Sequence, residues 1–76
     1  MNTEQIRTIE NVLNCKLVDK DNGVFKFVFK AHKDRYIEFY MQFELYAIYN
    51  SKKRKVGLNV QETKDILKVC ESLGWE

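Results

Sequence analysis

The sequence predicts an α+β fold, an antiparallel three- to four-stranded meander with two helices on one face, in the order α-β-β-β(-β)-α. Three observations predict it. Residues 36–49, YIEFYMQFELYAIY, alternate with the period of a half-buried strand. Apolar residues recur at helical spacing near both ends of the chain. Between these stretches lie short turn signals, and proline is absent.

The first element is a helix over residues 3–14. Ile6, Ile9 and Leu13 fall on one stripe, with Val12 beside them. Asn2 and Gln5 have the N-cap and N3 spacing of a capping box, and Glu4 suits the positive end of the dipole. Asn14 is suited to the C-terminal exit.

A strand follows over 15–20, then the turn signal Asp21-Asn22-Gly23, then a second strand over 24–31. Phe25, Phe27 and Phe29 share one face of the second strand. A two-residue Asn-Gly turn would set Lys16 against Phe29 on the core side. A three-residue loop sets Leu17 against Phe27 and Cys15 against Phe29, and is preferred because a one-residue slip turns every side chain over.

The same parity sets the next hairpin. A loop over 33–35 pairs Phe29 with Phe39, Phe27 with Met41 and Phe25 with Phe43 inside. Outside, it pairs Lys30 with Glu38 and Val28 with Tyr40.

Residues 36–49 read as one strand, over twice the usual length, which must bend, bulge or change partners midway. Its odd-numbered side chains, Ile37 through Tyr49, form the core face. A hairpin over 50–53 sets Ala47 against Val56 and Leu45 against Leu58, giving a fourth strand at 54–58. The rival helix through Ile37, Met41, Leu45 and Ile48 would be apolar almost all round, and its Phe and Tyr residues favour strands.

The last element is a helix over 59–73. Asn59 and Glu62 have capping-box spacing. Ile66, Leu67, Cys70 and Leu73 form its expected buried stripe. Gly74 and Trp75 occupy the positions of a Schellman motif and its hydrophobic contact.

At 76 residues the chain is expected to be one domain, 1–76, near the lower limit for independent folding. Its 45% hydrophobic content suffices for a core and argues against disorder. No long apolar run occurs and the start is polar, so neither a membrane span nor a signal peptide is expected, and the location is read as cytoplasmic. Cys15 and Cys70 lie far apart without a CxxC, which suits two reduced, buried thiols. Lys, Asn, Ile, Phe and Tyr are abundant, residues of AT-rich codons. A small domain of this composition fits a bacterial or phage accessory protein.

No catalytic signature stands out. His32 is expected in an exposed loop, with no Ser or Cys nucleophile tied to it by sequence. His32, Cys15 and Cys70 show no metal-ligand spacing, there is no glycine-rich phosphate loop, and no cofactor is implied. The net charge of +2 is too mild to imply nucleic-acid binding by itself. Lys52, Lys53, Arg54 and Lys55 nevertheless form a basic run at an expected hairpin tip, and Lys26 and Lys30 could extend it. The competing reading of that run is a solvated loop whose lysines discourage edge aggregation.

The α-β-β-β-α order is similar to that of double-stranded RNA-binding domains. Those domains carry a lysine cluster at the start of the second helix, where this chain has Asn59-Val60-Gln61-Glu62. The similarity therefore stops at topology.

The remaining feature is the outer face of 36–49, where Tyr36, Glu38, Tyr40, Gln42, Glu44 and Tyr46 are expected together. Tyrosine supplies large contact area with a polar tip and few rotors. The expectation is a non-catalytic protein that occludes a macromolecular partner. Its concrete form is a phage or mobile-element inhibitor of a host defence system, anti-CRISPR-like, acting on a host protein or protein–nucleic acid complex. The alternative is a small nucleic-acid-binding module using the basic hairpin. A homodimer through the long strand is a further expectation.

Overall fold

In the computed structural model, which describes residues 1–75, both helices begin with the capping boxes the sequence predicts. In α1 (Thr3–Leu13) the Asn2 carboxamide accepts the Gln5 amide at 2.8 Å, and the Gln5 side chain accepts the Asn2 amide at 2.9 Å. Asn59 and Glu62 exchange the same two bonds at the start of α2 (Val60–Ser72). Asn14 leaves α1 in the left-handed conformation, at φ 51°, and turns the chain directly into the sheet.

The C-terminal end of α2 is a Schellman motif. The Trp75 amide donates to the Cys70 carbonyl at 2.9 Å and the Gly74 amide to the Glu71 carbonyl at 3.0 Å. Gly74 has φ +77°, a conformation strained for any residue with a Cβ. That reversal drops the Trp75 side chain onto the core.

Four antiparallel strands lie in sequence order: β1 (Cys15–Asp21), β2 (Val24–Phe29), β3 (Arg35–Tyr40) and β4 (Leu45–Asn50). The fold is thus α+β, with four strands and both helices on one face. Phe27, Ile37, Phe39 and Ile48 from the sheet meet Ile9, Cys15, Ile66, Val69 and Trp75 in one core. Phe27 and Phe39 pack edge to face, with centroids 5.7 Å apart.

The first hairpin holds both registers weighed from the sequence. At its root Cys15 pairs with Phe29 and Leu17 with Phe27, as expected. At its tip Lys20 pairs with Phe25 and Asp21 with Val24, around a two-residue turn. A bulge between Leu17 and Asp19 absorbs the difference. Asn22 and Gly23 both take positive φ, 50° and 77°, so the turn that matches strand twist wins at the tip while the core sets the root.

The second hairpin departs from its expected register. Phe25 pairs with Phe39, Phe27 with Ile37, Lys26 with Glu38 and Val28 with Tyr36. The expected pairs Phe29–Phe39, Phe27–Met41, Phe25–Phe43, Lys30–Glu38 and Val28–Tyr40 do not form. β2 ends at Phe29, the Lys30 amide still meets the Asn14 carbonyl on the β1 side at 3.0 Å, and the loop 30–34 closes where the Arg35 amide meets the His32 carbonyl at 2.9 Å. The slip is by an even number of residues, so core still faces core. Hydrophobic alternation is blind to such a slip.

Residues 36–49 are not one strand. They are most of β3 and β4, folded on each other through a turn at 41–44. Tyr36 pairs with Tyr49, Ile37 with Ile48, Phe39 with Tyr46 and Tyr40 with Leu45. Paired numbers now sum to an odd value, so odd residues face the core in β3 and even residues in β4. Glu44 makes the reversal at φ 51°, and the Phe43 amide bonds the Tyr40 carbonyl at 3.2 Å. The two halves satisfy each other's backbone with a short loop, which costs less closure entropy than separate partners would. Residues 54–58 are therefore not the fourth strand. They contribute one bridge, Lys55 to Tyr49, with the Val56 amide on the Ile48 carbonyl at 3.1 Å.

One face of α2 also differs from expectation. Ile66 and Val69 are buried and Cys70 and Leu73 half-buried, whereas Leu67 is exposed. The helix presents the stripe Glu62, Ile66, Val69, Leu73 to the sheet, one position round from the expected one. Among the described residues, no helix is long and apolar enough to cross a membrane.

Candidate interaction face

With both helices on one side, the other side of the sheet is uncovered. Strand alternation and pairing place Val24, Lys26 and Val28 of β2 there, then Tyr36, Glu38 and Tyr40 of β3, then Leu45, Ala47 and Tyr49 of β4. All but Leu45 are half-buried although no element covers them, because they shield one another. Tyr36 and Tyr49 pack across the β3–β4 pair with centroids 5.5 Å apart and planes 33° apart. The Lys26 ammonium lies 4.3 Å from the centroid of the Tyr36 ring. Lys26 also stands between Asp19 and Glu38 in the strand register.

The Tyr40 hydroxyl donates to Glu38 Oε1 at 3.2 Å. Partial burial first, and then the Glu38 carboxylate, push the Tyr40 phenol up to about 12. It is a neutral donor at physiological pH. Chemically the face is a tyrosine and aliphatic surface with one lysine and one glutamate near its middle.

Of the residues expected to bind a partner, the structure brings Tyr36, Glu38 and Tyr40 together here. Gln42 and Glu44 are instead exposed in the turn beyond the sheet. Tyr46 lies on the helix side, lining a groove with Leu67 and Trp75. Tyr49, Leu45 and Ala47, expected in the core, replace it on the outer face. Their placement follows only once the turn at 41–44 is known, and its sequence Met-Gln-Phe-Glu carries none of the usual turn residues.

The basic residues form a second feature. Lys52, Lys53, Arg54 and Lys55 are all exposed on a turn organised by Asn50. The Asn50 side chain accepts the amides of Lys52 at 2.9 Å and Arg54 at 3.1 Å. Arg35 pairs with Asn50, so the loop 30–34 with Lys30 and Lys33 opens at the same end of the sheet. A single strand over 36–49 would have held these basic segments roughly 45 Å apart; the reversal at 41–44 brings them together. Arg35 meets Glu62 at 3.7 Å, which offsets part of the charge. Lys26 is not part of this cluster, since its ammonium is over Tyr36 on the open face.

His32 is exposed and lines a small pocket of about 110 Å³ with Glu62 and Asp65. Among the described residues, no group of three or more His, Cys, Asp and Glu side chains could hold a metal ion. Both cysteines are free. Cys15 is fully buried, as expected, while Cys70 is only half-buried. Burial pushes both thiols up, Cys15 to about 12, the opposite of an activated thiolate.

No protein-family model, curated protein or solved structure matches this chain.

Proposed function

We propose that the protein is a non-catalytic binding domain that covers a surface of a protein partner with the open face of its sheet. The observation that carries this reading is the self-shielded patch of Tyr36, Tyr40 and Tyr49 among Val24, Val28, Leu45 and Ala47, on a face that neither helix occupies. Tyrosines held on a sheet scaffold lose little entropy on contact. Glu38 and Asp19 on the same face disfavour a phosphate backbone and suit a protein. The short chain and its AT-rich composition support a phage or mobile-element inhibitor of a host defence system, anti-CRISPR-like, working in the cytoplasm on a host protein or protein–nucleic acid complex.

The test is affinity capture from a bacterial lysate with the wild-type chain and two variants. Tyr36→Ala with Tyr40→Ala removes the face and should lose the partner. Tyr46→Ala lies on the other side and should retain it. Undiminished capture by the double variant, with its circular dichroism intact, defeats the reading.

A second reading has its own observation, the convergence of the 52–55 turn and the 30–35 loop at one end of the sheet. Lys30, Lys33, Lys52, Lys53, Arg54 and Lys55 there would grip phosphates as a small nucleic-acid-binding module. Such binding must weaken steeply with salt. Titrations of single- and double-stranded nucleic acid at two salt concentrations decide it, and absence of salt-sensitive binding at about 10 µM protein removes it.

A further inference from the structure

We infer that the free edge of β4 is where a second copy of this chain adds, joining the two sheets across a two-fold axis at Tyr46. This concerns the edge of the sheet and holds whether or not the open face binds a partner.

The two edges of the sheet are treated differently. The β1 edge is guarded by its bulge, by Lys16, Asp19, Lys20 and Asp21, and by the Glu10 carboxylate, which accepts the Leu17 amide at 3.1 Å. These are the devices that prevent strand addition. The β4 strand, LYAIYN, has no charge and no bulge.

Only part of the β4 edge is closed. The Ile48 carbonyl takes the Val56 amide, and the Asn50 amide donates to the Arg54 carbonyl at 2.9 Å. Alternation along the strand aims the Tyr46 amide and carbonyl out of the same edge. Beyond Val56 the chain carries Leu58 to the core, and Tyr46 has no backbone partner there among the described residues.

Apolar surface gathers at this opening. Phe43 is 70% exposed, Leu45 58%, Leu67 54% and Tyr46 38%, four of the six large hydrophobics exposed among the described residues. Phe43, Leu45 and Tyr46 sit on or beside the edge, and Leu67 of α2 shares a groove with Tyr46. A concentration of this kind marks an interface.

Charge selects a second copy as the occupant. The edge is acidic at one end, with Glu44 and, across the groove, Glu71. It is basic at the other, with Lys55 at its bridge to Tyr49. Antiparallel pairing of Tyr46 with Tyr46 leaves Glu44 of each copy turning away beside the Lys55–Val56 segment that closes the other copy's edge at Ile48, and does so twice. The pairing strand also ends where it must, since β4 begins at Leu45 and turns away at Glu44 just where Val56 closes the edge. The interface is isologous, so both halves are satisfied by one surface.

Sedimentation equilibrium of the full chain tests this. A reversible dimer is expected at about 100 µM protein. Tyr46→Pro removes an amide that β3 does not use, so it should give a monomer with unchanged circular dichroism. Glu44→Lys alone and Lys55→Glu alone should each weaken association about tenfold, and the two together should restore it. The rescue decides the matter even if the proline variant does not fold. A wild-type chain that stays monomeric, or a dimer indifferent to both charge reversals and their combination, overturns the inference. So does strand-dependent capture of a different protein by a chain that does not self-associate.

Discussion

The Trp75 indole rests against the Phe39 ring, with centroids 6.0 Å apart and planes inclined by 60°. This contact ties the end of α2 to the middle of the sheet. Only 8% of Trp75 is exposed, so replacing it with alanine opens a cavity in a core of few large side chains. Trp75→Ala should cost about 3–5 kcal/mol, a large part of the total stability of so small a domain. Urea unfolding followed by far-ultraviolet circular dichroism would show it as a collapse of the midpoint; a shift equivalent to under about 1 kcal/mol would mean that Trp75 is not a core residue.

The three glycines should respond differently to alanine. Gly23 and Gly74 both have φ +77°, so each substitution should cost about 1 kcal/mol through backbone strain. Gly57 has ordinary φ and nothing within 4 Å of an added Cβ, so Gly57→Ala should be neutral or stabilising by up to about 1 kcal/mol. Thermal melts of the three variants side by side check the ordering, and equal losses at all three would refute it.

Two neighbouring positions of α2 should give opposite results. Val69 is fully buried, and Val69→Ala should cost roughly 2 kcal/mol. Leu67→Lys, measured at a dilution where the chain is monomeric, should stay within about 0.5 kcal/mol of wild type. A severe loss for Leu67→Lys would place that side chain in the core after all.

Stability should fall at alkaline pH. The Cys15 thiol is pushed up from about 9 to about 12, by burial first and then by Glu10. Below the unfolded thiol's pKa both states hold the proton, and stability is unaffected. Above it the unfolded chain releases the proton first, so folding weakens by up to about 1.4 kcal/mol per pH unit until the folded thiol also ionises. Tyr40 adds a loss of the same sign from about 10 upward. Urea midpoints should be level between about pH 6 and 8 and decline above about 9, and Cys15→Ala should flatten part of that decline. A level wild-type profile to about pH 11 would contradict the buried thiol. In the native state at about pH 8, a thiol reagent should reach the half-buried Cys70 before Cys15.

Much of the fold was legible from local signals. Asn2 with Gln5, Asn59 with Glu62, and Gly74 with Trp75 are short-range motifs whose hydrogen bonds close within a few residues, and all three formed. The phenylalanines of β2 pointed to the core by alternation alone. What the alternation hid was the reversal at 41–44. Met41, Gln42, Phe43 and Glu44 continue the apolar–polar rhythm of the strand through its own turn, so the pattern gives no hint of where pairing changes parity. Tyr46 and Tyr49 therefore exchanged faces relative to expectation. The open face was legible in Tyr36, Glu38 and Tyr40, and illegible in everything contributed by β4. The meeting of the two basic loops was hidden for the same reason.

The order of the strands also bears on how the molecule assembles. Each strand pairs with its neighbour in sequence, so the sheet can zip as successive hairpins with short loops. The packing of α2 on α1 is different, because it must bring together opposite ends of the chain. Closing that largest loop carries the greatest entropy cost of any pairing in the fold. Trp75, the only tryptophan, rides on the end of that helix and reaches Phe39 only when it docks. Its fluorescence is thus a built-in reporter of whether α2 has docked on the sheet.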